Sequence, residues 1–389
     1  MGFYTEYLDS QIGQNFELLT AERKKLLSKI AELRGGRDVL VFAADLNKEV
    51  PAVSIGYPDL LPISDQIANL SGRRLDLILE TPGGAGEVAE EVVRLLRGKY
   101  EEIGVIVPGW AKSAGTIIAM AADEILMGPT SALGPIDAQI SWQGKRFSAD
   151  ALLEGIEKIK QEAAAAGQLN RAYIPILQGI SPGEIQSAQN ALKFAKVLVT
   201  DWLARHKFRG WTTHSSTGEP VTQEEKRKRA EEVADRLCDH KRWLTHGRSI
   251  KLQDLEEMRL KILDYSKQGE LHEAISRYYT LLQMTFAGTN IYKIFETPTS
   301  QILRFVSVPI PPQPVPPPST AAAVVFDLQC GNCKGAFKIQ ANLGEEQPIR
   351  PGGLPFPKDN KFSCPNCGVI HDLTDARRQL EAQTKKPIV

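Results

Sequence analysis

Cysteine is scarce in this chain of 389 residues, and its five cysteines are unevenly placed. Four of them form two Cys-x-x-Cys pairs near the carboxyl end, Cys330 with Cys333 and Cys364 with Cys367, and Cys238 lies alone. Small secreted folds that depend on disulfides carry many more cysteines per residue. The distribution excludes a disulfide framework and predicts a metal site in a reducing compartment.

Long apolar runs are also missing. No stretch of about 18 consecutive apolar residues occurs, and charged residues interrupt the most apolar segment, residues 103–127. The first 14 residues lack the basic and then apolar pattern of a signal peptide. The sequence therefore predicts a soluble, cytoplasmic protein with no membrane span.

Neither sign of charge dominates, because 47 Lys and Arg residues balance 47 Asp and Glu residues. The net charge thus gives no reason to expect a nucleic-acid or acidic-membrane partner. The chain is longer than the roughly 250 to 300 residues at which a single core stops growing. We expect one catalytic domain with appendages.

Strand and helix patterns alternate through the first third of the chain. After a charged amphipathic helix at residues 16–33, short apolar or β-branched runs occur at residues 38–44, 75–81, 103–108 and 124–127. Helical periodicity lies between them, at residues 88–97 and 114–122. This order predicts an α/β fold with a parallel sheet. From residue 140 onward the pattern is mainly helical, at residues 149–165, 182–206 and 223–237.

A run of prolines marks a boundary between domains. Residues 308–320 read as a stiff polyproline linker. The predicted organisation is an N-terminal helical segment (1–36), a catalytic domain (37–265), a helical or irregular extension (266–307), the linker (308–320) and a small cysteine-bearing domain (321–389).

Three short motifs carry chemistry. Thr81-Pro-Gly-Gly84 follows a strand, and glycine amides there can turn toward a ligand. Lys112-Ser-Ala-Gly-Thr116 places Ser113 at a helix start, where the Ala114 amide and the helix dipole point to the same place. Ala132-Leu-Gly-Pro-Ile-Asp137 forms a strand and turn that could line the site. Taken singly, each motif is explained as well by an ordinary turn or helix cap.

In this order, the motifs resemble the serine dehydrogenase proteinase family, which is related to signal peptide peptidase A and the Clp protease proteolytic subunit. The likeness is dense over residues 38–139 and thinner to residue 263, where His246-Gly-Arg-Ser-Ile250 resembles a late family element. The resemblance implies a Clp/crotonase-like spiral of ββα units, Ser113 as nucleophile and an oxyanion hole of the Gly83 or Gly84 amide with that of Ala114. It also implies a homo-oligomeric serine endopeptidase that takes peptide or protein substrates.

A serine nucleophile needs a base within hydrogen-bond reach. If the serine-to-histidine spacing of the Clp relatives were kept, the histidine would fall near Asp137, and none is there. Relatives that use lysine place it at the start of a later helix, which makes Lys193 our candidate and a Ser-Lys enzyme the expectation. Lys145, His240 and His246 compete for this role, and Asp137 is a candidate for orienting a base or a water.

The two Cys-x-x-Cys pairs predict a structural Zn²⁺ site, because four thiolates complete a tetrahedral shell and leave no position for water. The module resembles a zinc ribbon, although its two pairs are farther apart than the usual 15 to 20 residues. Its lysines give some basic character, which acidic residues dilute. We expect it to bind a protein partner or substrate, with nucleic acid possible but not favoured.

Two other functions remain open at this point. A catalytically silent scaffold on the same fold is compatible with the missing base. A crotonase-type acyl-CoA enzyme would use the same paired amides to hold a thioester oxyanion.

Overall fold

The computed structural model describes residues 2–142, 145–306 and 322–389, which divide into two units, Met1–Ser307 and Val308–Val389. Within these ranges, we find no helix whose length and apolar character would let it cross a bilayer.

A seven-stranded mixed sheet organises the first unit, in the order β11-β10-β1-β2-β3-β5-β9. Its strands are β1 (Asp38–Ala44), β2 (Arg74–Glu80), β3 (Glu102–Val107), β5 (Glu124–Met127), β9 (Leu263–Asp264), β10 (Ile291–Glu296) and β11 (Gln301–Phe305). The strands β1, β2, β3, β5 and β9 are parallel, and β10 runs antiparallel to both of its neighbours, β1 and β11. Two-stranded pairs lie beside the sheet: β4 (Trp110–Ala111) with β6 (Ala132–Leu133), and β7 (Gln139–Trp142) with β8 (Lys145–Ser148).

Helices cover both faces of the sheet because β1 is apolar on both sides. Val39 and Val41 join a core with α3 and α13, whereas Leu40 and Phe42 join a core with α5, α6, α9 and α10. This alternation is the period of two expected of a strand. The helices are α1 (Phe3–Leu8), α2 (Gln11–Gln14), α3 (Phe16–Leu33), α4 (Leu60–Ala68), α5 (Gly86–Lys99), α6 (Ala114–Met120), α7 (Ala149–Ala166), α8 (Ile174–Gln178), α9 (Pro182–Trp202), α10 (Gln223–Cys238), α11 (His240–Trp243), α12 (Leu252–Glu257) and α13 (Gly269–Gly288).

A buried ion pair ties the first helical layer to the sheet. Arg23 on α3 contacts Glu296 on β10 at 3.1 Å, and both side chains are fully buried. Tyr278 on α13 donates to the same carboxylate at 3.0 Å, and Arg23 donates to Thr285 at 2.6 Å. The pair therefore joins three elements from opposite ends of the unit.

The predicted strands and helices of the first 140 residues are present, with ends within three residues of those expected. Two segments after residue 140 differ from their predicted structure. The helix predicted at residues 182–206 ends at Trp202, and Leu203–Lys207 form a π turn that lets both Leu203 and Phe208 be buried. The segment described as a helical or irregular extension contains α13 and the β10–β11 hairpin of the main sheet.

The second unit contains two small sheets and one helix. Strands β12 (Ala323–Gln329), β13 (Ala336–Asn342) and β14 (Gly353–Pro355) form one sheet, and β15 (Lys361–Ser363) pairs with β16 (Ile370–Asp372). Helix α14 (Thr374–Thr384) follows. Its core is small, and the fully or nearly buried members are Ile339, Ala341, Leu343, Phe356, Phe362, Leu373 and Ile388.

Candidate functional site

The glycine loop that follows β2 adopts a backbone that requires glycine. Gly83 has φ 100° and Gly84 has φ 154°. A Cβ on Gly83 would lie 2.7 Å from the Ser113 Cβ, and a Cβ on Gly84 would lie 2.4 Å from backbone atoms of Ile55. Glycine is therefore needed at both positions for space as well as for conformation, and the loop lies directly against Ser113.

Ser113 occupies an unusual backbone conformation at the start of α6. Its φ is 50° and its ψ is −114°, where residues with a Cβ are rarely found. Such conformations cost about 1–3 kcal/mol and concentrate at functional sites. Among the described residues, its hydroxyl has no hydrogen-bond partner. A strained and partly exposed serine with a free hydroxyl fits a nucleophile better than it fits a helix cap.

Two backbone amides beside Ser113 are free to bind an oxyanion. The Gly83 amide donates to the Thr81 hydroxyl at 3.1 Å, so it is already used. In the described part of the chain, the amides of Gly84 and Ala114 donate to no protein acceptor. Of the predicted donors, the geometry therefore favours Gly84 and Ala114.

A cleft of about 400 Å³ brings these groups together. Its lining includes Gly84, Ser113, Ala114 and Asp137 from the three sequence motifs. Helix α9 contributes further lining residues, including Phe194. The three motifs thus meet at one site.

Asp137 lies where the serine-to-histidine spacing of the Clp relatives would place a histidine, and its side chain is buried. Its carboxylate accepts hydrogen bonds from Ser148 at 2.6 Å and Gln139 at 2.9 Å. The Nδ1 atoms of His240 and His246 lie 3.3 and 3.8 Å from its Oδ2. Burial acts to raise the pKa of Asp137, but contacts with His246, Ser148 and His240 together hold it below its ordinary value. Asp137 is therefore a stable carboxylate with two imidazoles beside it, and the buried His246 Nδ1 has no hydrogen-bond partner among the described residues.

The structure does not bring Lys193 into this cleft. Helix α9 turns Asn190, Ala191 and Phe194 toward the cleft, while the Lys193 side chain is exposed to solvent. Its assignment as the base stays a prediction. The side chain of Lys145 lies outside the part of the structure that is described.

Lys112, the neighbour of Ser113, is held away from the site. Its Nζ donates to the carbonyls of Gly247 and Arg248 at 2.8 and 3.2 Å and to the Ser249 hydroxyl at 3.1 Å. Burial and the nearby Lys251 lower its pKa. Its contacts attach the segment after His246 to the turn that carries Ser113.

A buried carboxyl group below the site was missed in the sequence. Glu80 ends β2, is 1% exposed and accepts hydrogen bonds from the Trp110 amide at 2.8 Å and the Tyr279 hydroxyl at 3.2 Å. Burial raises its pKa to about 8, despite the opposite effect of these donors. The signal available was a glutamate directly after the apolar run at residues 77–79. Glu80 links the glycine loop to the strand that leads to Ser113.

We expect Glu80→Gln to remove a pH dependence of stability. The folded state holds the Glu80 proton up to about pH 8, whereas the unfolded chain releases it near 4.5. The free energy of unfolding from this group therefore falls as pH rises between those values, by about 1.4 kcal/mol per unit. Between pH 5 and pH 7, the free energy of unfolding measured in urea should fall by about 3 kcal/mol more in wild type than in Glu80→Gln. Glu87→Gln, at an exposed carboxylate, is the control. Equal pH profiles for wild type and Glu80→Gln would contradict the assignment.

The four paired cysteines of the second unit meet at one point. Their Sγ atoms all lie within 4.8 Å of one another, with Cys330 and Cys367 at 3.6 Å and Cys333 and Cys364 at 3.6 Å. These separations are too long for disulfides. They agree with the roughly 3.8 Å edge of a tetrahedron with metal–sulfur distances near 2.3 Å. The cluster could therefore hold a metal ion.

Backbone donors favour the thiolate form of Cys330. The Cys333 amide makes the largest contribution to lowering the pKa of Cys330, which falls to about 5. The His371 ring acts in the same direction, with Nε2 3.2 Å from the Cys330 sulfur. His371 thus contacts a cysteine of the cluster, although the four thiols already complete a tetrahedral set.

The strand order, the helices on both sheet faces and the serine beside a glycine loop define a mixed α/β protein of the Clp/crotonase type. Residues 67–191 match the family described as ClpP-like SDH-type serine proteinase. Residues 67–191 are therefore similar to that family, as the sequence motifs predicted.

Two curated relatives are similar to parts of the chain, and both are uncharacterized proteins of Methanocaldococcus jannaschii. MJ0137 is 34% identical over 116 residues, which are 30% of this chain and 37% of the relative. MJ1495 is 30% identical over 166 residues, which are 39% of this chain and 54% of the relative. The chain thus spans about half or less of the curated relatives it matches.

Solved structures with similar folds include two proteases and one enzyme of acyl-CoA chemistry. The 1510-N membrane-bound stomatin-specific protease is 22% identical and covers 29% of this chain and 60% of its own, with a TM-score of 0.22. ClpP1 from Listeria monocytogenes is 12% identical and covers 61% and 96%, with a TM-score of 0.30. An enoyl-CoA hydratase/isomerase family protein from Silicibacter pomeroyi is 14% identical and covers 57% and 91%, with a TM-score of 0.20. The fold assignment rests on the strand order and the family match.

Proposed function

We propose that this protein is a cytoplasmic serine endopeptidase with Ser113 as its nucleophile. The observation that carries the proposal is the strained Ser113 beside two free backbone amides, Gly84 and Ala114, in one cleft. In the proposed reaction, Ser113 Oγ attacks the peptide carbonyl carbon and its proton passes to a base. The carbonyl oxygen becomes an oxyanion held by the two amides. The base then protonates the leaving amine, and water hydrolyses the acyl-enzyme.

Three described side chains are candidates for the proton acceptor: Lys193, His240 and His246. Neither lysine nor histidine lines the cleft within the described residues, so Lys193 would have to reach Ser113 through a rearrangement of α9 or from another subunit. The two histidines have better support because both contact Asp137, which does line the cleft. A histidine oriented by a buried carboxylate matches the logic of a serine triad.

Three alanine variants distinguish these candidates. We expect His240→Ala or His246→Ala to lower the rate of Ser113 labelling by a fluorophosphonate probe by about 10²- to 10⁴-fold, the usual range for a general base. Lys193→Ala should lower it as much if the lysine is the base, and by less than about twofold if it stays on the exposed helix face. Lys196→Ala, on the same helix, is the matched control. Full labelling in all three variants would contradict both assignments.

The experiment that tests the function itself is fluorophosphonate labelling of the purified full chain, followed by peptide mapping and a casein hydrolysis assay. Labelling confined to Ser113 together with casein cleavage supports the peptidase. If the protein stays unlabelled in every oligomeric state, the catalytically silent scaffold is supported instead. The observation that favours a scaffold is that no lysine or histidine lines the cleft among the described residues.

The second unit supports a separate, structural role. We propose that its four cysteines bind one Zn²⁺ ion, because the donor set is all thiolate and the sulfur separations fit a tetrahedron. We further propose that this zinc-ribbon-like unit recruits a protein substrate or partner and that the chain acts as a homo-oligomer. Size-exclusion chromatography with light scattering tests whether the chain is a homo-oligomer.

A further inference from the structure

Lys293 on β10 is a buried lysine whose three donors are all used. Its Nζ donates to the Ser54 carbonyl at 2.8 Å and to both carboxylate oxygens of Asp59, at 2.8 and 2.7 Å. Its side chain is 3% exposed and that of Asp59 is 5% exposed. The Asp59 carboxylate also accepts the Gly56 amide at 3.0 Å. Lys293 and Asp59 therefore hold the peptide groups on both sides of Ile55.

These same two peptide groups hold the glycine loop. The Ile55 amide donates to the Gly83 carbonyl at 2.7 Å, and the Ile55 carbonyl accepts the Ala85 amide at 3.1 Å. Ile55 thus contacts the residues on either side of Gly84. In the Ser54–Ile55 peptide, the N–H binds Gly83 and the carbonyl binds Lys293. In the Ile55–Gly56 peptide, the carbonyl binds Ala85 and the N–H binds Asp59.

This arrangement fixes the direction of the Gly84 amide. The Gly83 carbonyl and the Gly84 N–H belong to one trans peptide, so they point in opposite directions. Because the carbonyl is bound to Ile55, the N–H must point away from Ile55. Gly84 also lines the cleft with Ser113, and its amide has no acceptor among the described residues.

We propose that Lys293 and Asp59 are positioning residues that hold the Gly84 N–H in place as an oxyanion donor. The inference rests on the proposed peptidase function, which gives that N–H its ligand. Lys293 lies two peptide groups away from the oxyanion and does not touch it. Its ammonium also polarises the Ser54–Ile55 peptide and, through the next hydrogen bond, the Gly83–Gly84 peptide, in the direction that strengthens the Gly84 donor.

The test compares two buried ion pairs on the same strand. Lys293→Met removes the three donors and keeps most of the side-chain volume. Arg23→Met breaks the Arg23–Glu296 pair, which is equally buried and ends at the same β10 but has no contact with the glycine loop. Asp59→Asn is a milder second variant that keeps an acceptor near Gly56 if Lys293→Met does not fold.

Two readouts are measured on the full-length chain at a temperature where each variant is folded. Removing an oxyanion donor costs about 10²- to 10³-fold in rate, so a misplaced donor should cost about 10- to 100-fold. We expect Lys293→Met to lower the maximal rate of fluorophosphonate labelling at Ser113 by that factor, with the probe concentration at half-maximal rate changed by less than about twofold. Arg23→Met should leave both values within about twofold. Hydrogen exchange at Ala85 should become at least about tenfold faster in Lys293→Met and faster also in Asp59→Asn, and it should be unchanged in Arg23→Met.

Equal losses of labelling in Lys293→Met and Arg23→Met would overturn the proposal, since general destabilisation would then explain both. Unchanged exchange at Ala85 in Lys293→Met and Asp59→Asn would overturn it as well. If the wild type is not labelled at all, the peptidase function fails, and the positioning of an oxyanion donor fails with it. The exchange data then show only whether Lys293 and Asp59 stabilise the glycine loop.

Discussion

Ser113→Ala should abolish casein hydrolysis and fluorophosphonate labelling while leaving the protein folded. In serine proteases, removal of the nucleophile costs about 10⁶-fold in turnover, and we expect a loss of at least 10⁴-fold. The Ser113 hydroxyl has no hydrogen bond among the described residues, so the free energy of unfolding should change by less than about 1 kcal/mol. Urea unfolding and a casein assay measure the two effects on the same preparation.

Ser187→Ala is the matched control for this variant. Ser187 lies in the same cleft but on the exposed side of α9, without the strained backbone of Ser113. It should keep full activity. Activity that persists in Ser113→Ala would remove this residue from the mechanism and direct attention to an acyl-transfer chemistry supported by the two amides alone.

Removal of the metal should unfold the second unit and leave the first unit intact. The core of the second unit contains few fully buried side chains, and structural zinc sites supply about 10 kcal/mol or more of binding free energy. We expect one zinc per chain by elemental analysis, and its removal by a strong chelator should make residues 322–389 sensitive to trypsin. Labelling of Ser113 should be unchanged within about twofold.

Cys330→Ser should reproduce the effect of chelation, because Cys330 is buried and contacts both Cys367 and His371. Cys238→Ala, at the fifth cysteine, should keep one zinc per chain. A protein that binds no zinc after reduction, and whose second unit resists trypsin equally with and without chelator, would show that the cysteines are not a metal site.

The parallel strands could be predicted because their own residues specify them. Strand β1 is apolar on both faces and follows two glycines, so composition and turn residues agree at Asp38–Ala44. The serine and glycine motifs were likewise predictable from order and spacing. The four cysteines of the cluster were predictable because the two members of each Cys-x-x-Cys pair are close in sequence.

Strand β10 shows where local patterns fail. Its six residues include Lys293 and Glu296, which suggest an exposed segment when read alone. Both are buried because their partners, Asp59 and Arg23, are 234 and 273 residues away in sequence. No local pattern indicates such pairing. The same reason hid the contact between Asp137 and its two histidines.

Lys193 illustrates a different limit. The sequence predicted a helix here, but Lys193 was chosen for its position along the chain and not for the face of the helix on which it lies. Successive helical residues are rotated by about 100°, and Phe194 faces the cleft while its neighbour Lys193 faces solvent. Orientation was decided by the apolar residues of α9 that pack on the core.

The β10–β11 hairpin also determines where the first unit can be shortened. A chain cut at residue 265, where the family likeness fades, would lose both strands and helix α13. Strand β1 would then become a bare sheet edge, which favours aggregation. Arg23 and Asp59 would lose the partners that pair with them, Glu296 and Lys293. The smallest self-sufficient form of the first unit therefore has to include the residues up to Phe305, well past the three motifs that meet at the cleft.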